Sequence, residues 1–172
     1  NVICTPHLGA STLEAQEKVA IQIAEQMSDY LLTGAITNAI NFPSVSAEDA
    51  TTMEPFLQLA ELLGSFAGQI TETAIKSVKI EYAGDIGSMN TETLTSSIIS
   101  GLLKPLLEDI NMVNSITIAK ERGIKIEESK TDSHGVYETY IRLIVETERQ
   151  ERSLAGTVFS DKTARIIQIK GI

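Results

Sequence analysis

The sequence has no tryptophan, one cysteine, two histidines and four prolines in 172 residues. With Cys4 alone, an internal disulfide framework is excluded, and a reducing, cytoplasmic setting is the default expectation. Aromatic residues make up 5%, too few for a platform on which nucleic-acid bases stack. Lys and Arg number 14 against 23 Asp and Glu, for a net charge of −9. That balance excludes a general binder of phosphate backbones, so no nucleic-acid partner is expected, but it leaves room for one local basic pocket for a small anion. No apolar run approaches the ~18 residues that a membrane span needs, and no basic segment precedes an apolar one at the start, so no membrane partner is expected either.

What is present is ordinary globular material, 42% hydrophobic and 22% charged, in a length that suits one core or one core plus a fragment. Residues 2–5 (VICT) are β-branched and apolar until Pro6 stops them, and read as the end of a buried strand. Gly9 permits a tight turn. Ser11 stands three residues before Glu14, a capping-box spacing that opens a helix over about 12–33. Val19, Ile23, Met27, Tyr30 and Leu31 form its apolar stripe, and Gly34 closes it. Residues 35–41 read as extended and 42–52 as a linker.

Beyond the linker, Pro55 suits a first helical turn, with Phe56, Leu59, Leu62, Leu63, Phe66 and Ile70 as the apolar face. The stretch KSVKIEYAGDI alternates like a half-buried strand. A capped helix follows that Pro105 kinks or breaks, then a second helix closed by Gly123. Strands are expected at 124–129, 136–147, 153–160 and 164–170, with Ile141, Leu143 and Val145 facing opposite to Tyr140, Arg142 and Ile144. The expected fold class is α+β: helices packed on an antiparallel-rich sheet over residues 53–172, preceded by a strand–helix remnant over 1–41 too small to bury a core.

His7 carries the first chemical signal. A histidine between a strand end and a helix N-terminus sits where α/β enzymes place catalytic groups, although the same spacing also suits a surface-loop histidine. Cys4-x-x-His7 raises metal binding, but one cysteine and two histidines argue against a metal site.

The stretch TPHLGASTLEAQEKVAIQIAEQMSDYLLTGAITNAIN, with its TPH-x-G-x-ST-x-EAQ run and closing NAIN, resembles the end of the catalytic unit of the D-3-phosphoglycerate dehydrogenase family. The resemblance implies that His7 is the acid/base that takes the hydroxyl proton of 3-phosphoglycerate as hydride passes to NAD, in the first step of serine biosynthesis. An imidazole suits that task near neutral pH. It also places Gly9 and Ala10 at a small-residue pair in the turn beside the cofactor. The family's Glu and Arg partners and its G-x-G-x-x-G loop lie upstream of this histidine, and no such spacing occurs here, so the chain reads as a fragment without dehydrogenase activity of its own. Its missing initial Met is in keeping with that reading.

Residues 46–172, with LLKPLLEDINMVNSITIAKERGI the most similar stretch, resemble the intervening domain of the long form of the same family. That resemblance implies an allosteric module for small anions such as phosphoglycerate or phosphate, within a homo-oligomeric enzyme. It also implies that the last strand leads into an ACT domain that binds serine. It assigns Lys130, His134 and Arg142 to the anion. A solvated ESKTDSHG turn, with Arg142 as a strand-surface charge near Glu138 or Glu146, is the competing reading of these residues. Asn111 and Asn114 are expected to tie helix ends. Three functions remain open at this stage: the regulatory end of an oxidoreductase, a stand-alone anion-binding module, and an oligomer contact.

Overall fold

A computed structural model describes residues 2–4, 6, 8–40, 44–132 and 136–170. The chain divides into two compact units, Asn1–Ala39 with Ser44–Thr51, and Ile40–Pro43 with Thr52–Ile172.

In the first unit, helix α1 spans Leu13–Thr33. Its N-cap is Thr12, one residue later than expected: the Thr12 hydroxyl accepts from the Ala15 N–H at 3.2 Å, while the Ser11 hydroxyl donates back to the Leu8 carbonyl at 2.9 Å. Glu14 pairs with Lys18 at 2.8 Å along the helix. Gly34 ends α1 with φ 75°, and its N–H reaches the Tyr30 carbonyl at 2.9 Å. No residue of α1 is buried. Ile36 and Val45 form an antiparallel bridge, each N–H giving 2.8 Å to the other's carbonyl. The expected strand at 2–5 does not form over its described residues, where Val2 and Ile3 are about nine-tenths exposed. An extended segment is stable as a strand only when a neighbour pairs its N–H and C=O groups.

Helix α2 spans Ala47–Gln69, so it starts within the stretch read as linker, and Pro55 lies inside it. The Ala50 N–H already donates to Ser46 at 2.8 Å. Burial of Met53 rewards the early turns, so the missing Pro55 N–H is tolerated. The fully buried stripe is Met53, Leu59, Ala60, Leu63 and Ala67. Leu62 is exposed, and Phe56, Phe66 and Ile70 are half-buried, which corrects the expected apolar face.

Five strands follow: β1 (Ile75–Ala83), β2 (Lys125–Thr131), β3 (Tyr140–Thr147), β4 (Glu151–Val158) and β5 (Ala164–Lys170). Helices α3 (Thr91–Leu103) and α4 (Ser115–Glu121) lie between β1 and β2. The sheet order is β2-β1-β3-β4-β5. β1 and β2 are parallel, as a crossover through two helices allows, and the other neighbours are antiparallel. The fold is therefore α+β, with a five-stranded mixed sheet that is mainly antiparallel. α3 stops two residues short of Pro105, whose ring excludes another helical turn.

One face of the sheet carries Val78, Ile80, Tyr82, Ile141, Leu143 and Leu154, all buried. Each such side chain contributes roughly 1.5–3 kcal/mol on leaving water. α2 and α3 cover this face and meet each other through glycine. A Cβ on Gly64 would stand 2.2 Å from the Ile98 carbonyl oxygen, and one on Gly101 would stand 2.9 Å from that of Glu61. Twelve of the 13 residues of α3 are buried.

Candidate functional site

The carboxyl ends of parallel strands, next to a helix crossover, are where open α/β sheets hold ligands. In this protein the ends of β1 and β2 border a crevice of about 670 Å³. Its charged lining is Lys130 with Asp85, Asp132 and Glu138. Among the described residues none of the four takes part in an ion pair. Lys130 lies within β2, which runs one residue past it, so it does not follow the strand as expected. Gly84 shapes the opposite wall. Its φ is +76°, and a Cβ there would meet the Glu138 carbonyl oxygen at 2.0 Å, so only glycine lets the chain turn this close to the segment that enters β3. Residues Gly84–Ser88 form a 3-10 turn, and the Ser88 hydroxyl closes it on the Asp85 carbonyl at 2.6 Å.

Behind the crevice a hydrogen-bonded chain joins β1, α3 and β2. Thr95 Oγ1 donates to Glu128 Oε1 at 2.7 Å and lies 2.7 Å from the Tyr82 hydroxyl, which therefore supplies the proton of that second bond. Burial pushes the Tyr82 hydroxyl well above the ordinary phenol range, the Thr95 bond opposes this, and the negative Glu128 adds to it. Tyr82 is thus a neutral hydrogen-bond donor at any physiological pH and locks the helix to the sheet. Elsewhere on α3, the Thr93 hydroxyl is buried with no partner.

Arg142 is elsewhere. In the sheet register Lys130 lies level with Tyr82, and Tyr82 with Ile141, on the helix-covered face. Arg142 lies level with Glu81, one residue out of phase and so on the opposite face. Lys130 and Arg142 do not converge. Arg142 Nη1 pairs with Glu81 Oε2 at 2.9 Å, Lys79 approaches the other oxygen of Glu81 at 3.6 Å, and the guanidinium stacks 5.3 Å from the Tyr140 ring centre. The partner is neither Glu138 nor Glu146. Glu81 lies 61 residues away in sequence, and only strand pairing brings it alongside.

His7 and His134 lie outside the described residues. Gly9 and Ala10 form an exposed turn, where the Ala10 carbonyl accepts from Gln16 at 3.3 Å, so Ala10 acts there through its backbone. Asn111 and Asn114 tie the turn before α4, as expected: Asn111 Oδ1 accepts from Val113 and Asn114, and Asn114 Oδ1 accepts from Asn111. Among the described residues no His, Cys, Asp or Glu cluster is arranged to hold a metal ion.

Comparison with known proteins decides the family. The D-3-phosphoglycerate dehydrogenase intervening domain matches residues 52–170. This chain belongs to that family. The D-3-phosphoglycerate dehydrogenase of Archaeoglobus fulgidus is 41% identical over 170 residues, covering 98% of this chain and 32% of that protein. The Bacillus subtilis enzyme of the same name is 34% identical, covering 99% and 33%, and the Synechocystis enzyme is 38% identical, covering 98% and 31%. The chain thus spans about a third of the length of these relatives. The Lys130 crevice, the Tyr82 chain and the Arg142–Glu81 pair all lie in the intervening domain, and the His7 segment precedes it.

Proposed function

We propose that this chain is the regulatory end of an NAD-dependent D-3-phosphoglycerate dehydrogenase of serine biosynthesis, in which the intervening domain senses a small anion, phosphoglycerate or phosphate. The similarity along nearly the whole chain to proteins of that name carries the reading. In this reading His7 is the acid/base of the parent enzyme, a homo-oligomer, and Gly9 and Ala10 flank its cofactor. The chain contains no G-x-G-x-x-G loop, so NAD would be held by parent residues outside it.

Lys130 is the proposed anchor for the anion, because it is an unpaired cation in a crevice of ligand size. One ammonium against three carboxylates does not hold a phosphate unaided. The proposed site therefore includes further positive charge, from protonated His134 or from a neighbouring ACT domain of the parent. Arg142, on the other face and already paired with Glu81, is left outside this crevice and would meet an anion only on the open face of the sheet.

The test is thermal shift of the parent enzyme and of this chain with phosphate, 3-phosphoglycerate and serine. Phosphate and phosphoglycerate should raise the melting temperature, Lys130→Ala should abolish the rise, and Arg142→Ala should leave it. In the parent, His7→Gln should abolish NAD-dependent oxidation of phosphoglycerate. Absence of any anion effect on the parent sinks the sensor reading.

A further inference from the structure

A second cavity lies at the opposite end of the sheet, where β1 and β2 begin and α2, α3 and α4 finish. Its volume is about 410 Å³. Leu103, Leu106, Leu107, Ile75 and Ile124 supply an aliphatic floor, and Leu106 is half exposed. Arg122, Glu72, Thr71 and Thr73 complete the lining. Among the described residues neither Arg122 nor Glu72 makes an ion pair or a side-chain hydrogen bond, although both line one small cavity. Their opposite charges are therefore both open to a ligand.

The backbone adds a direction. Each helix C-terminus carries roughly half a negative charge, and the effect reaches about one turn. The lining includes Thr71 two residues after α2, Leu103 at the end of α3, and Arg122 directly after α4. Three negative helix ends and the Glu72 carboxylate favour a cationic group. A guanidinium, with its planar fork of donors, favours a carboxylate. The aliphatic floor favours a short branched hydrocarbon.

We infer that this cavity binds a free α-amino acid with an aliphatic side chain. Its carboxylate would lie on Arg122, its ammonium toward Glu72 and the helix ends, and its side chain on Leu103, Leu106 and Leu107. A 2-oxo acid or fatty acid of the same shape lacks the ammonium and is repelled by the helix ends. An alkylamine lacks the carboxylate and leaves Arg122 unmatched. The site is at the other end of the sheet from Lys130 and is independent of the anion reading.

The experiment is an amide NMR titration of the 172-residue chain with L-leucine up to about 10 mM, ten-fold above the ~1 mM Kd that such a small ligand commands. Saturable shifts are expected at Thr71, Thr73, Leu103, Leu107 and Arg122, and not at Asp85 or Lys130. Isoamylamine and 4-methylpentanoate should each bind about ten-fold more weakly, the loss of one charge-assisted contact. Arg122→Gln should weaken leucine binding about ten-fold, to the level of isoamylamine. Glu72→Gln should weaken leucine and strengthen 4-methylpentanoate, narrowing the gap between them to what the helix ends alone maintain, a convergence that loss of shape would not produce. Leu106→Glu, at a half-exposed position, should block binding with the fold intact and carries the test if Arg122→Gln does not fold. Lys130→Ala should change nothing. No shift at 10 mM, shifts centred elsewhere, or leucine binding undiminished in both Arg122→Gln and Leu106→Glu overturns the assignment. In the last case Arg122 only neutralises the end of α4.

Discussion

Helices α1 and α3 are built by opposite means. α1 has 21 residues and none is buried; α3 has 13 and twelve are buried. α1 shows its reasons locally: a Thr12 cap, an i,i+4 Glu14–Lys18 pair, and Gly34 where the chain must turn left-handed. α3 is rich in Thr and Ser, which are indifferent helix formers, and its own N-cap Asn90 makes no side-chain capping bond. Its stability comes from close contact with α2, from Tyr82 and from the sheet. A helix can be legible in sequence and carry little of the core, or be weakly encoded and hold most of it.

The largest test of that contrast is Gly64→Ala. The new methyl would fall 2.2 Å from the Ile98 carbonyl oxygen, so the two helices must separate. A loss of about 3 kcal/mol is expected, seen as a melting transition lowered by about 10 °C. Ile23→Ala on the exposed stripe of α1 should change the same transition by less than about 0.5 kcal/mol. Equal effects would erase the distinction between the helices.

A smaller effect probes how α3 is tied to the sheet. Thr95→Val removes the bridge between the Tyr82 hydroxyl and Glu128 and leaves a buried phenol almost unpaired, at a cost of about 1–3 kcal/mol. Adding Tyr82→Phe should recover part of that loss, because the stranded hydroxyl is removed with its partner gone. Chemical denaturation of the two single variants and the double variant measures the coupling; strict additivity would show that the bonds act independently.

The smallest concerns the hairpin between β4 and β5. The Thr163 hydroxyl and N–H both donate to Asp161, and these bonds hold its carboxyl below the usual aspartate range. A depressed folded pKa means the carboxylate stabilises the folded state above its unfolded pKa, and that this contribution is lost as pH falls through the lower, folded value. An NMR titration should place the Asp161 midpoint below 3.8, and Thr163→Val should raise it.

Much of the second unit was legible because its signals are periodic. The alternation in KSVKIEYA is the burial pattern of β1, and Pro105 ends α3 as its ring demands. The early start of α2 was hidden because Pro55 is a strong local signal for a first turn, and the burial of Met53 that overrides it is a tertiary event. At the candidate site, Lys130 and Arg142 were both visible as cations. Their separation was not, since it depends on β1 lying between β2 and β3 and on which residues stand level across them. The Arg122–Glu72 cavity had no sequence signal at all, because its walls come from the ends of three helices.

By itself the sequence determined the element types beyond residue 52, the acidic balance and the family, since periodicity, turn residues and the TPH and ERGI stretches are local and survive without a fold. Only the tertiary structure decided which charges are neighbours. Strand order and the one-residue alternation of faces put Arg142 on Glu81 and leave Lys130 in its crevice, because a sheet pairs residues by register across space and not by distance along the chain.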